Sequence, residues 1–385
     1  MKNGLVFSPL QLLALILALA PTTFASTTWY VNGASGSDSN HCMSTQAACK
    51  TIGHAIALAA SGDSVMVSAG TYIEGLVIGV SLRIVGAGAQ TTIIEGGVPR
   101  GATISSASAQ VILSNLSILR SGISGSCNFQ GGAGVYNMGT LTIINSVISD
   151  NTAVATSPFP GPISCGVLGG GILNDGKLTI DNSTVSGNSV EVFGSFGDCL
   201  AVICYASGGA IASSGTLTIN NSTISGNTAV GHCHVASSCK NIIGGIFFEG
   251  TSMYINSSTI SGNSPTGISR RATLKNSIVA NSPEGGNCSG VMTSHGYNLS
   301  SDGTCNFNAP GDLNNHNPLL GPLQNNGGPT ETMELLPGSP AIDAGNPAGC
   351  TAGGVLLKTD QRGMPRPDRE DTLGCDMGAY ERQSD

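Results

Sequence analysis

Charge, aromatic rings and long apolar runs are all scarce in this sequence. Only 10% of its 385 residues are charged and 4% are aromatic, with a single Trp. Acids outnumber bases by 23 to 15, a formal net charge of -8, which excludes nucleic acid or an acidic polymer held by charge alone. Beyond residue 25 no apolar run approaches the ~20 residues of a membrane-crossing helix, so no membrane span is expected in the mature chain.

What is present begins with Lys2, an apolar run from Leu10 to Ala20, and small residues around Thr23-Phe24-Ala25. That is the layout of a secretory signal peptide over residues 1–25. The protein is therefore expected to be secreted or held in the cell envelope, and to be a monomer. Twelve cysteines in an exported chain are expected to form six disulfides, drawn from Cys42, Cys49, Cys127, Cys165, Cys199, Cys204, Cys233, Cys239, Cys288, Cys305, Cys350 and Cys375. Gly is abundant at 55, and Ser, Thr and Asn take the places that charge would otherwise fill.

One polar phrase is written four times: LTIINSVISDN at 141–151, LTIDNSTVSGN at 178–188, LTINNSTISGN at 217–227 and MYINSSTISGN at 253–263. The phase holds throughout. Ile143, Ile180, Ile219 and Ile255 are equivalent, as are Ile148, Val185, Ile224 and Ile260, and Asn151, Asn188, Asn227 and Asn263. A glycine pair precedes each phrase, at Gly131-Gly132, Gly169-Gly170, Gly208-Gly209 and Gly244-Gly245. The alternation is strand-like and its carriers are largely β-branched, with turn residues every few positions.

No unit contains a helical period, and none can bury its apolar side alone, so neighbours must stack like over like. The geometry that follows is all-β: a single-stranded right-handed parallel β-helix, one turn running for example from Gly169 to Val190. A leucine-rich repeat fails on the spacing of its apolar residues and on the missing helical side. A propeller would need longer strands. Asn at a fixed corner of every coil suits a side-chain ladder at the ~4.8 Å strand spacing rather than a ligand site.

Four segments follow: the signal peptide, an N-terminal segment over 26–62, coils over 63–286, and a C-terminal segment over 287–385. The stretch 49–61 is the one amphipathic helix expected in the mature chain, with Ile52, Ala55, Ile56 and Ala59 on one face and His54 at the surface. It would cap the raw edge of the first coil. Residues 152–168, 189–207 and 228–243 read as long Cys-bearing loops on one side of the rod, the expected functional surface.

Within these loops Cys127 is expected to pair with Cys165, Cys199 with Cys204, and Cys233 with Cys239; a Cys165 to Cys204 ladder is the alternative. GHCHVASSC at 231–239 has the residue types of a zinc site, with His232 and His234, but a disulfide is the expected outcome in an exported chain. The acids near the coils, Asp150, Asp175, Asp181, Glu191, Asp198 and Glu249, fall at different phases, so no pair suited to hydrolysis lines up. Arg270, Arg271 and Lys275 form the one basic cluster there and read as a solvated edge.

The N-terminal WYVNGASGSDSNHC and ACKTIGHAIALAASGDSVMVSAGTYIE strings, with the GTLTINNSTISGN units, resemble bacterial parallel β-helix proteins of the pectate-lyase-like superfamily. The C-terminal strings NCSGVMTSHGYNLSSDGTC, GPLQNNGGPTETMELLPGSPAIDAG, TDQRGMPRP and GCDMGAYE resemble the choice-of-anchor Q domain. The resemblance implies an exported, envelope-associated or extracellular protein. It transfers no catalytic residue, since the aspartate motifs of polygalacturonases and the calcium and arginine pattern of pectate lyases are missing. The chain departs from the family by showing no anchor before Asp385.

Asp343, Asp360, Arg362, Arg366, Asp376 and Glu381 are expected to form structural ion pairs closing the last coil, with Cys288–Cys305 and Cys350–Cys375 as staples. No catalytic, cofactor-binding or metal-ligating residue is assigned. The expected function is non-catalytic binding of a glycan or cell-surface ligand. The alternative is a carbohydrate-active enzyme, a polysaccharide lyase or glycoside hydrolase, and a groove with two or more acids beside Arg or Lys would favour it over a bare Ser/Thr/Asn groove.

Overall fold

The computed structural model describes residues 26–97, 100–157, 164–194, 203–232, 239–368 and 374–383. They build a parallel β-helix whose strands stack in three faces. Two faces join into a 16-stranded sheet and the third is a 10-stranded sheet. In one coil, Ile172–Asn174 lies on the first face, Lys177–Asp181 on the second and Thr184–Ser186 on the third.

The phrase supplies the inward columns. Leu141, Leu178, Leu217 and Met253 are paired from coil to coil, as are Ile143, Ile180, Ile219 and Ile255, and Ile148, Val185, Ile224 and Ile260. All are buried in one continuous core, so cutting Ile180 to Ala costs about 2–5 kcal/mol.

Polar residues hold the corners. Between the second and third faces, Asn145, Asn182 and Asn221 turn the chain with φ of 49°, 49° and 50°, a left-handed conformation that Asn tolerates. The Ser that follows each one links two coils. Ser183 Oγ donates to the Asp181 carbonyl at 2.7 Å and accepts from the Ser146 amide at 3.1 Å, and Ser222 does the same for Asn220 and Ser183. After the third face, Asn151, Asn188, Asn227 and Asn263 form the expected ladder, each Nδ2 donating to the next Oδ1 at 2.8, 2.9 and 2.8 Å. A third column, Asn137 to Asn174 to Ser213, runs beside the first face at 2.7 and 2.9 Å.

Within 152–168, 189–207 and 228–243 the described residues are mostly strand rather than the loops expected. Thr152–Ser157, Ser189–Gly194 and Thr228–Gly231 extend Gly122–Ser126 into a 4-stranded parallel sheet. Ser164–Leu168, Ile203–Ser207 and Cys239–Ile243 form a 3-stranded one. Ala153, Ala155, Val167, Val190, Val192 and Ala206 fill a second core with them. The physical reason is repetition: each excursion alternates small apolar residues at the same phase as its neighbour, so excursions stack as coils do.

Disulfides Cys42–Cys49, Cys127–Cys165, Cys288–Cys305 and Cys350–Cys375 form. The Cys127 bond rules out the Cys165 to Cys204 alternative. Cys204 and Cys239 are disulfide-bonded too, whereas Cys199, Cys233 and the signal peptide lie outside the described residues. No helix among the described residues is long and apolar enough to cross a membrane.

At the N-terminal end the helix Ile52–Leu58 buries Ile52, Ala55 and Ile56, with Thr51 as its cap. Glu74 accepts from the Ile52 and Gly53 amides, both at 2.8 Å, a favourable place for a carboxylate. Burial pushes the Asp63 carboxyl up, but donors on Trp29, Ala60 and Thr27 outweigh it and hold its pKa below the ordinary value.

At the other end the stacking runs on through Cys288–Ser294, Leu299–Ser300 and Leu313–Asn314. The chain then folds back over the third face. There Gln361 Nε2 donates to Thr184 Oγ1 at 2.9 Å, Thr223 Oγ1 donates to Gln361 Oε1 at 2.7 Å, and the Ala379 amide donates to Thr259 Oγ1 at 3.1 Å.

Candidate functional site

The second face stays open along part of its length, and two outward columns define what it offers. Thr179, Thr218, Tyr254 and Thr273 are stacked in one; Asp181, Asn220, Asn256 and Lys275 are stacked in the other. Strand alternation aims these side chains outward, because their neighbours Ile180, Ile219, Ile255 and Leu274 fill the core. The second column is wired: Asn220 Nδ2 donates to Asp181 Oδ1 at 2.8 Å, and Asn256 Nδ2 to Asn220 Oδ1 at 2.9 Å.

The hairpin of Thr351–Ala352 and Val355–Leu356 stands beside these columns and turns them into a groove of about 410 Å³. Thr218, Asn220, Tyr254, Asn256, Lys275 and His295 line it opposite the hairpin. Lys275 Nζ donates to Thr351 Oγ1 at 3.1 Å, and Tyr254 is 47% exposed. No lining residue is an acid. At the far end of the column, burial raises the Asp181 carboxyl above its ordinary pKa, against the donor on Asn220. An exposed ring among amides and hydroxyls can stack on one surface of a polyol and hydrogen-bond its edges.

Tyr254 also lines a smaller cleft with Arg271 and Thr293, which leads to a notch of about 620 Å³ around Arg270 and Arg271. Arg270 lies 3.3 Å from Glu249 and over the Phe247 ring at 5.4 Å. Of the basic cluster, Arg270 and Arg271 are exposed and line this concave surface, whereas Lys275 is half-buried in the neighbouring groove.

The other candidates are dispersed. Asp175 accepts from Tyr136 and Ser214 at 3.0 and 2.7 Å, and Ser149 donates to Asp150 at 3.3 Å. Asp198 and His234 lie outside the described residues. His232 packs against Phe193 at 4.9 Å. Because Cys239 is in a disulfide, it offers no thiolate to zinc. Cys42, Cys49 and His54 place their ligand atoms within 4.8 Å, yet both sulfurs are spent in a disulfide.

The C-terminal charges do come together. Arg362 pairs with Asp360 and Arg366 with Glu381, each at 2.7 Å and almost wholly buried, while Asp343 is exposed. Arg366 Nη1 reaches Asn221 Oδ1 at 3.0 Å, so these pairs fasten the returning segment across the third face rather than sealing the last coil. Burial pushes Glu381 up to about 8, helped by Asp376 and opposed by Arg366.

The groove residues Tyr254, Asn220, Asn256 and His295 were not picked out from sequence. One signal was available: in MYINSSTISGN a Tyr replaces the outward Thr of the other phrases that begin LT.

No family model matches the sequence, and no curated protein matches it. Among solved structures, the chain is similar to a rhamnogalacturonan lyase, with 12% identity and a TM-score of 0.40 over 71% of this chain and 82% of that one. It is also similar to the pectin methylesterase from Aspergillus niger, with 11% identity and a TM-score of 0.35 over 75% and 91% of the two chains.

Proposed function

We propose that this is a non-catalytic β-helix protein of the cell surface or extracellular space that binds glycan along its open second face. The groove carries the reading: an exposed Tyr254 set among Thr218, Asn220 and Asn256, with Lys275 and His295 beside it and no acid in the lining. Hydrolysis would ask for two carboxylates facing one another across ~5–9.5 Å. The disulfides, four of them with both halves among the described residues, suit an oxidising compartment.

A glycan array screened alongside an ultraviolet lyase assay tests this. Binding without product release is expected, and Tyr254→Ala is expected to weaken it about tenfold or more while leaving the melting temperature unchanged. Product release, or binding indifferent to Tyr254, would overturn the proposal.

A further inference from the structure

We infer that the notch at Arg270 and Arg271 is an oxyanion site, taking sulfate or carboxylate substituents of the ligand held in the adjoining groove. The inference rests on the glycan reading for that groove. Its own ground is a break in the repeat. In one earlier coil a turn at Asp175-Gly176 separates the first-face strand from the second-face strand. The strand Ile268–Lys275 has no such turn and pairs with both faces, at Ile246 on one and Tyr254 on the other.

The corner is taken instead by Arg270 itself, at φ 81°, a left-handed conformation that a long side chain adopts at a cost. The next coil is shaped to receive it. Gly290 is paired with Arg270, and a Cβ there would lie 2.0 Å from the Arg270 carbonyl oxygen. The break undoes strand alternation, so Arg270 and Arg271 are consecutive and both exposed.

They share the notch with Asn241, Ser269, Ser289 and Thr293. Glu249 and Phe247 orient Arg270, whereas the Arg271 side chain, on a backbone paired to Val291, makes no ion pair or hydrogen bond among the described residues. An unmatched guanidinium in a chain of net charge -8, ringed by hydroxyl and amide donors, matches the planar or tetrahedral oxygens of an oxyanion. Arg271 and Tyr254 line the same connecting cleft, so one ligand can engage both.

Two measurements test this. In the first, dextran, carboxymethyl dextran and dextran sulfate, which share a backbone and differ in charge, are compared for affinity. Charged forms are expected to bind about tenfold or more tighter than neutral dextran, and Arg271→Ala is expected to erase the difference; whichever charged form binds tighter names the substituent. In the second, low-millimolar inorganic sulfate, too dilute for the general stabilising effect of that salt, is compared with chloride at equal ionic strength, and is expected to raise the melting temperature of the wild type but not of Arg271→Ala.

Arg270→Gly fits the left-handed corner, so it is expected to melt no lower than the wild type while binding charged dextran more weakly. Equal affinity for charged and neutral dextran, or a sulfate response that survives Arg271→Ala, would overturn the inference. Failure of the groove reading alone looks different: Tyr254→Ala leaves every affinity unchanged while Arg271→Ala still removes the sulfate response.

Discussion

The second and third faces of the same coils carry similar Thr-bearing strands, yet one is open and the other buried. On the third face Thr184, Thr223 and Thr259 are almost fully buried beneath the returning C-terminal segment. On the second face the equally regular Thr179 and Thr218 stay partly exposed. Composition does not separate them. The difference lies in what reaches them: Gln361 and the Ala379 amide meet the third-face hydroxyls, while among the described residues it is the Thr351–Leu356 hairpin that stands beside the second. A repeat thus makes several equivalent surfaces, and a segment outside the repeat decides which one remains available.

Breaking the cover should have the largest effect. Arg366→Ala leaves two buried acceptors, Glu381 Oε2 and Asn221 Oδ1, without their guanidinium donor and is expected to cost about 3–5 kcal/mol, with the C-terminal segment becoming sensitive to protease. A urea midpoint and digestion pattern like the wild type would contradict the clamp. The same pair gives the cover a pH dependence. Glu381 has its folded pKa raised from 4.5 to about 8, so the folded state keeps a proton that the unfolded chain releases. This contribution is complete below about 4.5 and is lost as pH rises towards about 8. Denaturation series across that window should show Glu381→Gln flatter than the wild type.

Smaller effects sharpen the contrast between faces. Thr184→Val removes a hydroxyl that accepts from Gln361 and donates to the Glu331 carbonyl, and should cost about 1–3 kcal/mol. Thr179→Val, the same change on the open face, should stay within about 0.5 kcal/mol. Equal costs for the two would mean that the segment does not bear on Thr184.

What could be foreseen follows the same division. The inward columns were legible because Leu178 and Ile180 recur at constant phase, and the Asn188 corner because one residue type returns at one position. The stacked excursions were missed since their apolar positions are filled by residues as small as Ala153 and Ala155, among Gly, Ser and Pro that signal loops. The cover over the third face joins residues as far apart as Gln361 and Thr184, 177 positions in sequence, and no local period encodes such a meeting. The groove was hidden for the same reason: Tyr254 and Thr351 come from units that share no repeat.

The asparagine column running from Asn151 to Asn263 makes each rung end as it begins, an amide donor on one side and an amide acceptor on the other. A gene encoding such a rod can gain or shed a whole unit by unequal copying, because the new joint is chemically the same as the old ones. Length is therefore a property that such a rod can change without new chemistry at any joint.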